Sequence, residues 1–250
     1  MRAEFDVERD PILEGVAHGF FGSAGGVHQY GYGGPGEVAD VRALRAAAAH
    51  AIVPFARLVA PHQKHTSDVI SVGEVWDDVP DGRPVADAVV TATKGLALGI
   101  VTADCAPVLL ADVEAGVIGA AHAGWRGAKD GVLAATVNAM EQIGADRSRI
   151  SAAIGPTIAQ ASYEVDARLR EQFGPDDDRY FAPAPERNGV ARWLFDLPGF
   201  VTAQLKRAKI LTIHDLARDT FATPVRYHSY RRASSFGEPN YGRQIALIAL

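Results

Sequence analysis

Short apolar runs, each bounded by glycine or polar residues, recur through the middle of the chain. Runs of this length are typical of buried strands, so the sequence predicts strands at residues 96–101, 107–111, 117–121 and 150–154. Residues 243–250 are strand-like as well, and we expect them to reach the core. The pattern therefore predicts a core built on several strands.

Other segments follow a helical pattern. The alanine-rich run at 41–49 favours a helix, and apolar residues recur at helical spacing over 128–143. A further helix is predicted at 198–207, where proline occupies the first turn, and a short one at 213–218. Residues 174–192, with three prolines and three successive aspartates, are predicted to form a surface loop.

The sequence contains no internal repeat, and no low-complexity linker separates these elements. The C-terminal strand is expected to join the same core as the earlier strands. We therefore predict an α/β (α+β) fold, with a single domain over residues 1–250 in which mixed β-sheets are covered by helices.

Composition and charge exclude several classes of function. The 250 residues carry a net charge of -5 with both signs mixed, and no basic stripe predicts a nucleic-acid partner. No apolar run reaches membrane-spanning length, and the N-terminus has no apolar segment of signal-peptide type. A single cysteine allows no internal disulfide, so the expected location is the cytoplasm.

Three polar residues lie among apolar or small neighbours. Cys105 follows the predicted strand 96–101, and His122 follows the predicted strand 117–121; His65 lies further upstream. If the strands are adjacent, both side chains lie at strand ends, where ligand sites form. Thiolate and imidazole both bind zinc, and three protein ligands leave one position open. The alternative is that the cysteine and the histidines are packing residues of the core.

Candidate anion-binding groups lie near these residues. Gly124-Trp125-Arg126-Gly127 connects a predicted strand to a predicted helix, where backbone N–H groups and Arg126 would suit phosphate. A plain tight turn with a solvated Arg126 is equally consistent. Near the C-terminus, Arg231, Arg232 or Arg243 would suit an anion pocket, although a charged edge strand explains Arg232 better.

Several longer motifs connect these residues to a known family. The chain resembles the polyphenol oxidase/laccase-domain family, whose members are also described as purine nucleoside phosphorylase-like or multicopper-oxidase-like. The motifs are Gln63-Lys64-His65, Ala86-Asp87-Ala88-Val89-Val90, Thr102-Ala103-Asp104-Cys105-Ala106-Pro107-Val108-Leu109-Leu110, Ala121-His122-Ala123-Gly124-Trp125-Arg126-Gly127, Ala153-Ile154-Gly155-Pro156, Tyr163-Glu164-Val165, Ser229-Tyr230-Arg231-Arg232 and Gly242-Arg243-Gln244.

The resemblance implies a layered fold of mixed sheets and a zinc site formed by His65, Cys105 and His122, with copper as the other possible metal. It also implies an enzyme, a transferase and hydrolase. The implied activities are phosphorolysis of adenosine, inosine, guanosine or methylthioadenosine, and deamination of adenosine.

The expected site residues divide by role. We expect Cys105, His122 and Asp104 to be catalytic, with Asp104 next to a metal ligand. The residues expected to bind the nucleoside and phosphate are Gln63, Gly124, Arg126, Gly127 and Arg231. The oligomeric state is left open between a monomer and a weak dimer.

The chain departs from the family pattern near its N-terminus. In His18-Gly19-Phe20-Phe21-Gly22-Ser23, a serine stands where the family usually has arginine. If that arginine contacts substrate or phosphate in the family, we expect affinity or substrate choice to differ here unless another arginine supplies the charge. Arg126 and Arg231 are the candidates.

Three other functions remain as alternatives. Copper-dependent phenol oxidation needs several copper ions and many histidines, whereas the chain has eight histidines and only two in the motifs. A metal-free cysteine hydrolase, linked to peptidoglycan editing, would use Cys105 as nucleophile and His122 as base. A ligand-binding protein without catalysis is the third.

Overall fold

The structure, a computed structural model, describes residues 4–250. Short strands and helices alternate along this part of the chain. The strands are β1 Val7–Glu8, β2 Ala17–Phe21, β3 Arg57–Val59, β4 Val69–Ser71, β5 Ala88–Thr91, β6 Leu96–Thr102, β7 Ala106–Asp112, β8 Val117–Ala123, β9 Ser151–Ile154, β10 Glu164–Val165, β11 Phe181–Arg187, β12 Val190–Phe195, β13 Thr212–Asp215 and β14 Gln244–Ala249. The α-helices are α1 Val38–Ile52, α2 Trp125–Asp130, α3 Val132–Gln142, α4 Ala167–Arg170, α5 Leu197–Arg207 and α6 Tyr230–Ser235.

Two mixed sheets form the centre of the molecule. The first has the strand order β1-β2-β14-β6-β3, and the second has the order β13-β9-β7-β8-β5-β4. A small third sheet contains β10, β12 and β11. The predicted strands at 96–101, 107–111, 117–121, 150–154 and 243–250 are confirmed as β6, β7, β8, β9 and β14.

The two large sheets pack face to face, and helices cover their outer faces. One buried cluster joins Leu98 and Ile248 of the first sheet to Leu109 of the second. On the outer side of the second sheet, Val108 and Leu110 pack with residues of α3 and α5. Successive residues of β7 therefore face different cores, which explains its unbroken apolar sequence. The fold is the predicted single domain of mixed sheets and helices; its exact limits stay a prediction.

One helix differs from its prediction because of a glycine. The expected continuous helix at 128–143 is two helices, α2 and α3, separated by Gly131. This residue has φ 97°, a left-handed conformation that glycine adopts without steric cost. The chain therefore turns between the helices, and α2 is only six residues long.

The prediction of a loop at 174–192 is wrong. This segment forms a 3-10 turn at Pro175–Tyr180 and a hairpin of β11 and β12. Asn188 and Gly189 have φ values of 53° and 71°, and Asn-Gly is the residue pair that a tight hairpin turn favours.

Two other local predictions are wrong. The helix expected at 213–218 is instead strand β13, which pairs in parallel with β9 through Thr212–Asp215. Residues 230–235 form a helix rather than an edge strand. Within residues 4–250, no helix is both long and apolar enough to cross a bilayer.

Candidate metal centre and flanking cavities

His65, Cys105 and His122 meet at one point of the structure. Each offers one ligand atom, and these atoms all lie within 4.8 Å of one another. The Cys105 sulfur is 3.8 Å from Nε2 of His65, and the two imidazole rings are 4.8 Å apart between centroids. A cysteine and two histidines at this spacing could bind a metal ion. Within residues 4–250 this is the one such cluster of three or more.

Three different elements bring the ligands together. His65 lies in the loop between β3 and β4, and Cys105 lies in the turn from β6 to β7. His122 lies in β8, directly opposite Pro107 of β7. Because β6 belongs to the first sheet and β7 to the second, Cys105 sits where the chain passes between the sheets.

Asp87 holds two of the ligands in position. Its buried carboxylate lies 2.7 Å from Nδ1 of His122, which leaves Nε2 of that ring for a metal. The same carboxylate accepts hydrogen bonds from the backbone N–H groups of Lys64, His65 and Thr66 and from the Thr66 hydroxyl. A carboxylate behind a ligating histidine fixes its tautomer and orientation, as metal sites require.

Asp104 fixes the turn that carries Cys105. Its φ of 85° lies in the left-handed region, which is unfavourable for residues other than glycine. The carboxylate accepts hydrogen bonds from Thr220, from Ser229 and from the backbone N–H of Arg231. Both carboxylate oxygens are thus engaged away from the metal ligands, so Asp104 positions the turn.

The ligands are electrostatically coupled. Burial raises the pKa of Cys105, but the charge of His122 and hydrogen bonds from both histidines lower it to about 6. Burial lowers the pKa of His122, whereas the Cys105 thiolate and the Asp87 carboxylate raise it to about 9. Near neutral pH the metal-free pair is therefore a thiolate beside an imidazolium.

Two cavities flank the ligand cluster, and both are lined by His65, Ala103 and Cys105. The first, of about 220 Å³, also contains His122. The second, of about 160 Å³, is largely aromatic and apolar. We call them the arginine cavity and the aromatic cavity. The arginine cavity adds Tyr32, His62, Gln63, Arg83, Tyr241 and Arg243 among others. The aromatic cavity adds Asp104, Trp125, Ile158, Tyr163, Leu197, Tyr230 and Arg231.

The expected substrate-binding residues occupy different positions around these cavities. Gln63 lines the arginine cavity, but its side-chain amide pairs with the backbone of Val101. Arg231 lines the aromatic cavity, where its guanidinium lies over the Tyr163 ring and donates to the Glu164 carbonyl.

The Gly124–Gly127 turn contributes through close packing. A Cβ atom at Gly124 would lie 2.9 Å from the Cys105 sulfur, and one at Gly127 would lie 2.9 Å from the Thr66 carbonyl oxygen. Arg126 is exposed, lies over the Trp125 ring and lines neither cavity. Arg232, expected on an edge strand, donates to three backbone carbonyls and closes the Thr220–Tyr227 segment.

Sequence reasoning missed the role of Asp87. The sequence did offer a sign of this role, because Asp87 is the one acidic residue in the apolar stretch 85–90. A carboxylate in such a stretch is costly to bury unless its charge is paired. Arg83 was missed as well, since it follows a glycine in an ordinary polar loop. Ser23, found where the family pattern has arginine, is buried and bonded to local backbone, and it lines neither cavity.

The arrangement matches a known family. Residues 17–250 match the family described as multi-copper polyphenol oxidoreductase laccase. The chain belongs to this family. Two solved structures share the fold. The Neisseria meningitidis protein NMB0706 superposes with a TM-score of 0.81 at 27% identity, over 99% of each chain. A Bacillus licheniformis hypothetical protein, YfiH, superposes with a TM-score of 0.81 at 24% identity, over 94% of this chain and 92% of its own.

Proteins with related sequences carry other names. The Streptomyces coelicolor protein named purine nucleoside phosphorylase SCO2081 is 39% identical, covering 92% of this chain and 95% of its own. A Deinococcus radiodurans protein named purine nucleoside phosphorylase is 36% identical, covering 94% of this chain and 89% of its own. A protein from an unknown prokaryote, named adenosine deaminase RL5, is 38% identical over 46% of each chain.

Proposed function

We propose that this protein is a metal-dependent purine nucleoside enzyme. Its reactions are phosphorolysis of adenosine, inosine, guanosine or methylthioadenosine and deamination of adenosine. The observation that carries the proposal is the His65–Cys105–His122 cluster, oriented by Asp87 and open to two cavities. The names of the relatives supply the substrate class.

The donor set fits zinc. Two imidazoles and one thiolate are a usual zinc combination, and three protein ligands leave a fourth position for water or substrate. The hydrogen bond from His122 to Asp87 is the outer-shell contact that ligating histidines make. When bound, such a metal acts as a Lewis acid and lowers the pKa of a bound water. Copper binds similar ligands and is the competing metal.

The cavities suit a nucleoside divided between them. Their combined volume reaches the range of roughly 300–1,000 Å³ that small-molecule sites occupy. In the aromatic cavity, Tyr163, Trp125 and Tyr230 offer aromatic surface for a purine base, although Arg231 covers one face of Tyr163 and Arg126 covers one face of Trp125. The ribose would then lie near the ligand cluster, which borders both cavities.

Each reaction requires a different atom of the nucleoside at the ligand cluster: C1′ of the ribose for phosphorolysis, and the ring carbon that carries the amino group for deamination. In phosphorolysis, a phosphate oxygen bonds to C1′ of the ribose as the bond to the purine nitrogen breaks, and the base takes up a proton. In deamination, water adds to the ring carbon that carries the amino group, and ammonia leaves. Asp87 holds His65 and His122 in place, and Asp104 holds Cys105, in either reaction.

One observation favours a second candidate, a metal-free cysteine hydrolase. Asp87, His122 and Cys105 lie in series, as an acid, a base and a nucleophile do in cysteine enzymes. The lowered thiol pKa of about 6 provides the thiolate. Removal of the metal separates the two candidates, because it would stop the nucleoside enzyme and spare the hydrolase.

The deciding experiment measures metal content and turnover on one sample. Protein purified without a metal-affinity tag is analysed for metal and assayed on adenosine with and without phosphate. We expect about one zinc per chain, with adenine released only with phosphate or inosine formed without it. Cys105→Ala should lose both metal and turnover, whereas His50→Ala, which removes an exposed histidine of α1, should retain both.

The opposite results would contradict the proposal directly. Full turnover by Cys105→Ala, or no turnover of any purine nucleoside by metal-loaded protein, would end it. Activity that survives chelation but is lost with one equivalent of a thiol reagent would support the cysteine hydrolase.

A further inference from the structure

We propose that Arg83 and Arg243 form an oxyanion subsite that binds inorganic phosphate as the cosubstrate. This inference rests on the proposed function, since only phosphorolysis consumes phosphate. Both side chains line the arginine cavity together with Cys105 and His122. An anion held there would lie in the same cavity as the ligand cluster.

Arg243 has unused hydrogen-bonding capacity. Its Nη1 atom is buried and has no hydrogen-bond partner within the described chain. A buried donor without a protein partner is costly, so this N–H is available to an ion, a ligand or a water. The guanidinium lies 4.3 Å from the centre of the Tyr241 ring, and its stem packs on Gly31. The side chain is therefore held in place before any ligand arrives.

Arg83 reaches the cavity from a different loop. Its Nε donates to the Val79 carbonyl and its Nη1 to the Pro61 carbonyl, so two bonds fix the guanidinium. The group also lies 4.8 Å from the centre of the Tyr32 ring. These contacts leave Nη2 as the donor available to a ligand. A planar guanidinium with a fixed orientation suits phosphate oxygens.

The charges of Arg83 and Arg243 are not balanced by carboxylates of the described chain in the lining of this cavity. No aspartate or glutamate lines it within residues 4–250. Asp78 and Asp81 act on the charge of Arg83 from outside the lining, and Asp78 is itself bound by Arg45 through two hydrogen bonds of 2.7 Å. Neither Arg83 nor Arg243 forms a salt bridge with any residue of the described chain. Two cations in a partly closed cavity therefore favour an anionic ligand.

The other arginines near the ligand cluster fit this role less well. Arg231 lies in the aromatic cavity, where it is committed to the Glu164 carbonyl and to the Tyr163 ring. Arg126 is outside both cavities. The α2 helix that begins after Gly124 is too short to supply a strong anion site by itself. The arginine cavity is thus the better place for phosphate, and the base is left to the aromatic cavity.

The test is direct binding of inorganic phosphate to the metal-containing protein by calorimetry, followed by steady-state kinetics. Arg243→Met keeps the packing of the stem on Gly31 and removes the charge. We expect it to weaken phosphate binding roughly 10- to 100-fold, which is the effect of one lost charged hydrogen bond. Arg243→Lys, which keeps the charge but not the planar fork, should fall between parent and Arg243→Met. Arg83→Met should also weaken binding.

A matched control is available in Arg179→Met. Arg179 is exposed and lies 5.0 Å from the centre of the Tyr180 ring, so it has the same stacked geometry but lines neither cavity. Its phosphate affinity should equal that of the parent. Circular dichroism and thermal melting of every variant separate loss of the subsite from loss of folding.

Kinetics and a second ligand complete the test. In Arg243→Met the KM for phosphate should rise by a larger factor than the KM for the nucleoside. Parent-like phosphate affinity in folded Arg243→Met and Arg83→Met would overturn the subsite. Binding of adenosine 5′-monophosphate that depends on Arg243, with no binding of inorganic phosphate, would overturn the cosubstrate assignment. Phosphate binding that depends on Arg243 in a protein without nucleoside turnover would refute the proposed function and leave the subsite standing.

Discussion

At the scale of single residues, Asp87 has the widest influence on the candidate centre. Its carboxylate receives five hydrogen bonds, which come from three backbone N–H groups of the 64–66 loop, from the Thr66 hydroxyl and from His122. These contacts lower the pKa of the carboxyl against the opposing effect of burial, so it remains ionised. One buried charge therefore orients two of the three ligands.

Replacing Asp87 with asparagine tests how the positioning of the three ligand residues affects metal affinity, because the ligand residues themselves stay unchanged. The three ligands remain, but an amide cannot match the charge or acceptor capacity of the carboxylate. We expect metal affinity to fall about 10- to 100-fold, as for other changes behind ligating histidines. Competition with a chromogenic chelator measures this affinity. Asp68→Asn, an exposed change in the β3–β4 loop that carries His65, should leave metal affinity unchanged. Equal affinities in the parent, Asp87→Asn and Asp68→Asn would refute this role of Asp87.

Metal affinity should also depend on pH in a defined direction. Ligands bind a metal in their deprotonated forms, so protons compete with the metal. With pKa values of about 6 for Cys105 and about 9 for His122, the metal-free site at pH 7 holds a proton on His122 but not on Cys105. Affinity for the metal should therefore rise about tenfold per pH unit between about pH 6 and about pH 9, and more steeply below about pH 6.

Proton release measured in weak buffer gives an independent check. Metal binding at pH 7 should release about one proton from these two ligands. Affinity that is constant from pH 6 to 9 would contradict the coupling between Cys105 and His122.

Part of this residue-scale organisation was predictable. His65, Cys105 and His122 were expected together because a family pattern linked them, although their spacings match no compact metal signature. The support of Asp87 was not predicted, since it depends on a loop 21–23 residues upstream and a strand 35 residues downstream. Hydrogen bonds between such distant segments leave no periodic trace in the sequence.

At the scale of elements, the turn between β6 and β7 carries the thiol. Residues 103–105 lead from the first sheet to the second, and Asp104 holds a left-handed conformation there. Its backbone carbonyl accepts from Thr157 and Ile158, while its carboxylate binds the Thr220 and Ser229 hydroxyls. The turn is therefore tied to three later segments of the chain.

Substitution of Asp104 by alanine should destabilise the protein. The change leaves two buried hydroxyls and the Arg231 N–H without their acceptor, and alanine tolerates a positive φ poorly. We expect a loss of about 2–4 kcal/mol in the free energy of unfolding, measured with urea. Asp130→Ala, at an exposed position of α2, should change it by less than about 0.5 kcal/mol. A similar small loss for Asp104→Ala would contradict the anchoring role.

The elements that were predicted wrongly share a cause. The strands with unbroken apolar runs were found because both of their faces are buried. In contrast, β13 is exposed on alternate positions and exists because β9 offers a parallel edge, which local sequence does not reveal. The β11–β12 hairpin was obscured by prolines, although its Asn188-Gly189 turn was visible in the sequence.

At the scale of the whole molecule, the candidate centre lies where the two large sheets are joined. β14, near the end of the chain, pairs with both β2 and β6 and so places Arg243 beside the turn that carries Cys105. The second sheet supplies His122, and the loop after β3 supplies His65. The order of strands, which follows from no local pattern, therefore determines which chemical groups share a cavity.

A metal that binds these three residues should stabilise the whole fold, because it connects segments that unfolding separates. Ligand binding at 100 to 1,000 times its Kd adds about 2.7–4.1 kcal/mol. For a chain of this size, each kcal/mol raises Tm by about 2–4 °C. We therefore expect zinc to raise Tm of the chelator-treated protein by about 5–15 °C, measured by differential scanning calorimetry. His50→Ala should show the same rise, and Cys105→Ala should show almost none. An equal rise in Cys105→Ala would mean that zinc binds elsewhere on the chain, and the three-residue centre would lose its support.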